Sequence, residues 1–219
     1  MRTLNYPFPS EQSRENLEEI AAVCRDGGII VYPTETFYAI GGNALDSGLV
    51  ARISDLKQRD PGKPFPVIAN SPEALARLLA DWPPAARTLA AEFWPGPLSL
   101  ILPGYSNLPA GILDDDGGVA VRWAAHPLLD LVCRFTALPL ISTSANPGGK
   151  APAIRAADID RTLLQEVDLL IVADKKPLPK RSALKPSTIV DLRPDSPEII
   201  REGAVRSSAV KNCLAHPPT

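Results

Sequence analysis

Four short stretches of the chain combine hydroxyl, amide or cationic side chains with glycine or proline, next to apolar runs. They are YPTETFYAIGGNA (32–44), LKQRDPGKPF (56–65), STSANPGG (142–149) and KPST (185–188), with Arg201 further along the chain. Hydroxyls, Lys and Arg side chains, and the backbone N–H groups of Gly-rich turns are the groups with which proteins bind anions. These residue types favour a site that binds and orients anionic ligands.

The second stretch places Lys57, Arg59 and Lys63 within seven positions on a Pro-Gly loop. Arg supplies a planar fork of donors and Lys a compact charge, so the three could clamp a polyphosphate. A solvated basic turn explains the same pattern, and this alternative stays open for the loop taken alone. The third stretch suits either an anion-binding nest or an ordinary Ser/Thr turn.

The sequence lacks the motifs of several well-known catalytic and binding sites. It has no Walker A motif, no G-x-G-x-x-G and no G-x-S-x-G. Three widely spaced cysteines and two histidines make no convincing zinc site. Glu35 is the carboxylate that stands out within the polar loops, and a role as surface group or as a hydrogen-bond acceptor fixing the loop explains it better than catalysis. The chemistry should therefore need little proton shuttling.

Composition narrows the class of protein. The 219 residues are 45% apolar, which is enough for one sizeable core. Sparse cysteines fit a reducing compartment, and neither a secretory signal nor a membrane-spanning run is visible, so we expect a cytoplasmic protein without membrane contact.

Charge is nearly balanced, with 23 Lys and Arg against 25 Asp and Glu, so any contact with RNA needs a local basic patch. Residues 175–185 carry five basic side chains and no acidic one. Three interpretations of this segment stay open: a solvated mobile loop, a lid over a triphosphate, or an RNA contact.

Helical and strand patterns alternate along the chain, which predicts one α/β sheet covered by helices. Ser10 is expected to cap a helix that runs to about Arg25. Further helices are predicted at 48–57, 72–80, 84–93, 127–136 and 156–166, and strands at 29–32, 64–69, 98–102, 119–123, 138–143, 169–173, 187–192 and 198–202. Residues 174–186 look like a linker, and the chain beyond about Ser207 like a frayed tail, which predicts a domain at 1–208 and a tail at 209–219.

Seven pieces of the sequence, in this order and spacing, resemble the YrdC-like threonylcarbamoyl-adenylate synthases of the short, single-domain type. The pieces are PTETFYAIG, K-Q-R, FWPGPLSLIL, VAVRW, STSAN, PSTIVDL and IIREGA, and the match runs from about Leu17 to Val205. The resemblance implies a single α/β domain in which a twisted mixed β-sheet, flanked by helices, surrounds a large ligand cavity.

The resemblance also implies an activity. ATP, L-threonine and bicarbonate would react to L-threonylcarbamoyladenylate and pyrophosphate, for N6-threonylcarbamoyladenosine modification of tRNA position 37. Threonine's nitrogen would capture bicarbonate as a carbamate, whose oxygen attacks the α-phosphate. Mg²⁺ would be held mainly by the ATP phosphates, with no metal-ligating residue, and tRNA-modification proteins would be partners.

Carried over residue by residue, the resemblance assigns Lys57 and Arg59 as the catalytic, nucleotide-binding pair. Thr34 and Ser187 would contact threonine. The remaining nucleotide contacts would be Arg122, Ser144, Asn146 and Arg201, with Ser142 and Thr143 lining the same loop as weaker candidates.

The chain departs from the family pattern in several places. Ala39 stands where the family usually has glycine, and Ile68 where many members have a histidine that contacts threonine. The segment before Ser187 and the REGA ending resemble the YciO-like paralogues. The alternative function is therefore a non-catalytic nucleotide- or double-stranded-RNA-binding paralogue.

Overall fold

A computed structural model describes residues 1–59, 63–173 and 185–217. The predicted linker and basic segment lie outside the described residues, except for their last positions from Lys185 onward. The described α-helices are α1 Ser13–Arg25, α2 Ser47–Lys57, α3 Pro72–Ala76, α4 Pro84–Phe93, α5 Pro127–Thr136, α6 Arg161–Leu164 and α7 Ser207–Ala215. None of these helices is long and apolar enough to cross a membrane.

The strands form two mixed sheets. They are β1 Arg2–Tyr6, β2 Ile30–Pro33, β3 Tyr38–Gly41, β4 Val67–Ile68, β5 Leu98–Pro103, β6 Gly118–Arg122, β7 Leu140–Ile141, β8 Thr143–Ser144, β9 Leu169–Ala173, β10 Thr188–Asp191 and β11 Glu198–Arg201. One sheet has the order β1-β9-β2-β3-β8 and the other β11-β10-β5-β6-β4-β7.

The chain passes from one sheet to the other between β7 and β8, which are separated by Ser142 alone. The sheets approach closely at this junction. A Cβ on Gly41 would lie only 1.7 Å from the carbonyl oxygen of Ile141. The phenol of Tyr32 also donates to that carbonyl at 2.7 Å. Glycine at position 41 therefore permits the contact that joins the two sheets.

Apolar side chains cover the sheets in two clusters. In one cluster, α1 and α5 pack on the five-stranded sheet through residues such as Ile20, Val132 and Ile171. In the other, Leu98 and Val121 belong to the core of the six-stranded sheet. The α/β class is confirmed, and so are the bounds predicted for α4, α5 and β9.

Several sequence predictions were wrong in detail. The strands form two sheets and not one, and the run 138–143 is divided between them as β7 and β8. The run 64–69 has only two strand residues, and 156–166 is a 3₁₀ turn followed by the short α6. Strands β1 and β3 were not predicted, because β1 is largely exposed and all four residues of β3 are buried without alternation.

The two ends of the chain also differ from expectation. Ser10 begins a 3₁₀ turn and caps nothing, and α1 starts at Ser13, whose hydroxyl donates to the Pro9 carbonyl at 3.0 Å. The frayed tail predicted after Ser207 is helix α7 as far as Ala215. Its Val210 and Cys213 are buried because α7 packs against α4.

Candidate active site

A cavity of about 390 Å³ lies between the two sheets. Its wall includes eight of the ten predicted site residues: Thr34, Arg59, Arg122, Ser142, Thr143, Ser144, Ser187 and Arg201. The other two, Lys57 and Asn146, do not line it. Ile68 and Ala39 contribute apolar surface, and Ala39 lies inside β3 without a positive φ, so its backbone does not need glycine.

Alternate residues of the six-stranded sheet form the floor of the cavity. Ala120 and Arg122 of β6, Ser99 of β5 and Ile189 of β10 all face it. Successive side chains of a strand point to opposite faces, so the residues between these belong to the apolar core instead. Ile68 of β4 is the register partner of Arg122, and both residues line the cavity.

Arg122 is buried and forms an ion pair with Glu35. Its Nη1 lies 3.1 Å from Oε1 of Glu35, and the Arg122 side chain is 10% exposed. The Arg122 carbonyl accepts from the backbone N–H of Ala69 at 3.0 Å, which fixes the end of β6. Arg122 is therefore a rigidly mounted cation in the cavity floor.

Arg201 and Ser187 form a second polar group on the same floor. Nη2 and Nε of Arg201 donate to the Ser187 carbonyl at 2.9 and 3.2 Å, and the hydroxyls of Ser187 and Ser99 lie 3.0 Å apart. Although Arg201 is exposed as a whole residue, partial burial of its guanidinium and the nearby charge of Arg122 lower its pKa. Two neighbouring guanidiniums repel each other, and a bound anion would relieve this repulsion, so the pair is suited to anion binding.

The loop between β2 and β3 forms part of the opposite wall, and the Thr34 hydroxyl organises it. Oγ1 of Thr34 donates to the Phe37 carbonyl at 2.7 Å and accepts from the backbone N–H groups of Thr36 and Phe37 at 3.1 and 3.2 Å. These bonds use the donor and both acceptor positions of a hydroxyl. Thr36 lies next to it, with its own hydroxyl 3.1 Å away, and also lines the cavity.

Arg59 extends from the loop after α2, where Gln58 ends the helix with a positive φ of 47°. Its guanidinium donates to the carbonyls of Lys63 and Pro64 at 2.5 and 2.8 Å and lies 4.6 Å from the centre of the Phe65 ring. The cation is therefore held by its own loop, at the edge of the cavity.

Lys57 has a different environment from the one expected. It is the last residue of α2, it is 8% exposed, and its ammonium donates to the backbone carbonyls of Ser144 (2.7 Å) and Asn146. Burial and the charge of Arg59 lower the pKa of Lys57 to about 8. Asn146 in turn donates through Nδ2 to Pro147 and Lys150 carbonyls at 2.9 and 2.6 Å. Both residues shape the 144–146 loop and do not line the cavity.

Two polar residues of the cavity wall, Ser99 and Thr36, were missed from the sequence. The interpretation of Glu35 as a surface group or as an acceptor that fixes its loop was wrong, because its oxygens are buried and it pairs with Arg122. Ser99 carried a detectable signal, because it is the one polar residue in the apolar run LSLIL. Thr36 belonged to a polar stretch in which no single hydroxyl stood out. The pairing of Glu35 with Arg122 depends on a contact across 87 positions and had no local signal.

Comparison with known proteins identifies the family of this chain. Residues 22–203 match the family model Sua5_yciO_yrdC, described as telomere recombination. The chain belongs to the Sua5/YciO/YrdC family. A relative in Alkalilimnicola ehrlichii, named threonylcarbamoyl-AMP synthase, is 36% identical over 185 residues, covering 84% of this chain and 95% of the relative.

Solved structures of family members share the fold. Pyrococcus abyssi Sua5, in complex with L-threonine, superposes with a TM-score of 0.84 at 27% identity, over 99% of this chain and 61% of that one. E. coli YciO superposes with a TM-score of 0.77 at 24% identity, over 95% of this chain and 98% of YciO. The likeness to YciO concerns the fold alone.

Proposed function

We propose that this protein is a threonylcarbamoyl-AMP synthase. It would form L-threonylcarbamoyladenylate and pyrophosphate from ATP, L-threonine and bicarbonate. The observation that carries the proposal is a single cavity into which Arg59, Arg122 and Arg201 converge with the hydroxyls of both sheets. The relatives of this name and the threonine complex of a family member support it.

The proposed reaction suits a cavity of cations and hydroxyls. Threonine's amine and bicarbonate give a carbamate and water, and a carbamate oxygen then attacks the α-phosphorus of ATP. The bond from that phosphorus to the bridging oxygen breaks, and pyrophosphate leaves with the electron pair. Because the nucleophile is already an anion, catalysis consists mainly of positioning and of neutralising phosphate charge.

The residues keep the roles proposed from the sequence, with three refinements. Arg59, Arg122, Arg201 and Ser144 would hold the nucleotide, and Ser187 would hold threonine, with Ser142 and Thr143 beside it. Thr34 would act on threonine through the loop that its hydroxyl organises, since the donor and both acceptor positions of that hydroxyl are used within the loop. Lys57 and Asn146 would act on the nucleotide by shaping the 144–146 loop, since they do not line the cavity. Ser99 would support Ser187 through the contact of their hydroxyls.

Mg²⁺ would enter with ATP and be held by its phosphates and by water. No Asp or Glu is found among the described residues that line the cavity, and Glu35 is already paired with Arg122. The described residues also contain no cluster of three or more potential metal ligands. When bound, the ion would share with the arginines the neutralisation of phosphate charge.

The product would pass to tRNA-modification partners that act on adenosine 37. Of the basic segment 175–185, Lys185 is described and exposed, and the lid, RNA-contact and solvated-loop hypotheses for it remain predictions. Protection from protease on ATP binding would support the lid, and RNA affinity that falls steeply with salt would support the RNA contact. Protease sensitivity unaltered by either ligand would support the solvated loop.

The test is pyrophosphate release from ATP, measured with threonine and bicarbonate present, and with each omitted in turn. We expect release that depends on both, and threonylcarbamoyl-AMP as the product by mass spectrometry. A folded sample that binds ATP but releases no pyrophosphate at saturating substrates would overturn the proposal. That result would favour the non-catalytic nucleotide- or double-stranded-RNA-binding paralogue.

A further inference from the structure

Glu35 holds a buried carboxylate beside the cavity. It lies in the loop between β2 and β3, and its side chain is 20% exposed, with both oxygens buried. Oε1 lies 3.1 Å from Nη1 of Arg122. Within the described part of the chain, neither oxygen has a hydrogen-bond partner beyond this ion pair. Burying a carboxylate with so few partners is costly, so a role beyond stability has to explain it.

The fold of its own loop does not explain Glu35. The turn from Thr34 to Phe37 is closed by the Thr34 hydroxyl and by the backbone bond from the Thr34 N–H to the Phe37 carbonyl. The Glu35 carboxylate takes part in none of these bonds. A neutral side chain could occupy the position without changing the turn.

Glu35 acts on the site through Arg122. Arg122 lines the cavity, whereas Glu35 is not among the lining residues. Direct contact of this carboxylate with a ligand is therefore not expected, and Arg122, which it contacts, offers the route by which it can act.

The surrounding charges show what that effect is. Arg201 lies close enough to Arg122 for the charge of Arg122 to lower the pKa of Arg201. Two guanidiniums in one cavity repel each other, so an anionic partner for Arg122 offsets part of this repulsion. A carboxylate at Nη1 offsets one positive charge and holds the planar fork in a single orientation, with its other donors available to a ligand.

We propose that Glu35 is a positioning residue that orients Arg122 to receive an anionic group of the substrate. The inference rests on the proposed function, since it concerns the same cavity. The anion is a carboxylate or a phosphate oxygen, which L-threonine and ATP respectively would supply.

Calorimetric titration of Glu35→Gln with ATP and with L-threonine separately tests the inference. We expect affinity for one of the two ligands to fall about tenfold, which corresponds to one weakened charge-assisted contact, and affinity for the other to stay unchanged. Glu35→Asp keeps the charge and should recover part of the loss. Equal losses for both ligands in both variants would mean a general structural defect and would overturn the proposal.

A double-mutant cycle tests the route through Arg122. In an Arg122→Met background, Glu35→Gln should cause no further loss of affinity, and it should raise the melting temperature, because it removes the unpaired buried charge. Additive losses of affinity would show that Glu35 acts independently and would overturn the proposal. Glu18→Gln is a matched control, because Glu18 pairs with Arg14 on the surface at 2.9 Å and should change neither affinity nor melting temperature.

The two proposals fail in different ways. Wild-type protein that binds ATP or threonine but releases no pyrophosphate would overturn the proposed function and leave the titrations decisive for Glu35. Wild-type protein that binds neither ligand would overturn both.

Discussion

The floor of the cavity and the loops around it hold their polar side chains by different means. On the floor, Arg122 and Ser99 project from neighbouring strands whose register fixes them. In the loops around the cavity, which we call the rim, Arg59, Thr34 and Lys57 depend on side-chain hydrogen bonds to backbone groups. A substitution on the floor should therefore change what the cavity binds, and one at the rim should also change how the loops are held.

Lys57 and Arg59 show how much two neighbouring cations at the rim can differ. Arg59 lines the cavity and bonds to its own loop, whereas Lys57 points its ammonium at carbonyls 87 and 89 positions away. One cation faces the cavity, and the other holds the loop that carries Ser144. Substitutions can separate these two roles.

The largest effect is expected at Arg59. Arg59→Ala removes a cation that would neutralise charge developed as pyrophosphate leaves, and should lower the rate of threonine-dependent pyrophosphate release roughly a hundredfold or more. Arg59→Lys keeps the charge but loses the planar fork and the stacking on Phe65, so it should be damaging too.

The melting temperature of both Arg59 variants should fall only slightly, because Arg59 holds only its own loop, through the carbonyls of Lys63 and Pro64. Near-normal turnover of Arg59→Ala would remove Arg59 from the proposed phosphate site. A large fall in melting temperature would place Arg59 among the structural residues, as proposed for Lys57.

Lys57→Met should lower both activity and stability. It leaves the carbonyls of Ser144 and Asn146 without their donor, which should cost about 1–3 kcal/mol of unfolding free energy. From the sequence, Lys57 was expected to be a charged loop residue whose loss leaves the fold intact. Denaturant unfolding at pH 7.5 measures the difference, and Lys211→Met, an exposed lysine of α7, is the control. Lost activity with unchanged stability would argue for direct phosphate contact.

The lowered pKa of Lys57 adds a pH dependence with a defined sign. The unfolded chain, with an ordinary lysine pKa of 10.5, binds more protons than the native state, whose Lys57 titrates at about 8. The unfolding free energy of the wild type should therefore rise, relative to Lys57→Met, as pH increases from about 8 to 10.5. A gap that is constant or narrows over this range would contradict the assignment.

The difference between local signals and contacts across the chain also explains which elements could be predicted from the sequence. Buried strands and helices with strong apolar patterns, such as α4, α5 and β9, were predicted with correct bounds because their signal is local. Strand β1 was missed because its pattern is largely exposed and its stability comes from pairing with β9, far along the chain.

Site residues followed a similar rule. Residue types showed that Arg59 and Ser144 could bind anions, and both line the cavity. The orientation of Lys57 and the pairing of Glu35 with Arg122 depend on groups about 87 positions away, so residue type alone could not reveal them. Pattern predicts which groups are available, and tertiary contacts decide which of them face the ligand.

A moderate effect is expected at Thr34. Thr34→Val keeps the shape but removes a hydroxyl that makes three bonds within its loop. L-threonine binding should weaken by about 1–2 kcal/mol, because the loop that faces threonine is no longer held by this hydroxyl, with ATP affinity nearly unchanged. Calorimetry with each ligand measures this, and Thr34→Ser, which keeps the hydroxyl, should retain most of the affinity. Equal losses for both ligands would show that the loop supports the whole cavity and leave threonine recognition to Ser187 and its neighbours.

The smallest effect is expected on the floor, at Ser99. Ser99→Ala removes one hydroxyl from the pair with Ser187, but Ser187 also accepts from Arg201, and β5 keeps its register with β6 and β10. The melting temperature should stay within about a degree of the wild type, and L-threonine affinity should fall by about 0.5–1.5 kcal/mol, the net worth of one hydrogen bond. Ser99→Thr restores a hydroxyl and should recover the affinity. If Ser99→Ala lost more stability than Lys57→Met, the distinction between floor and rim would be wrong. The strand register would then depend on the Ser99 hydroxyl, whereas we expect the register to position the hydroxyl.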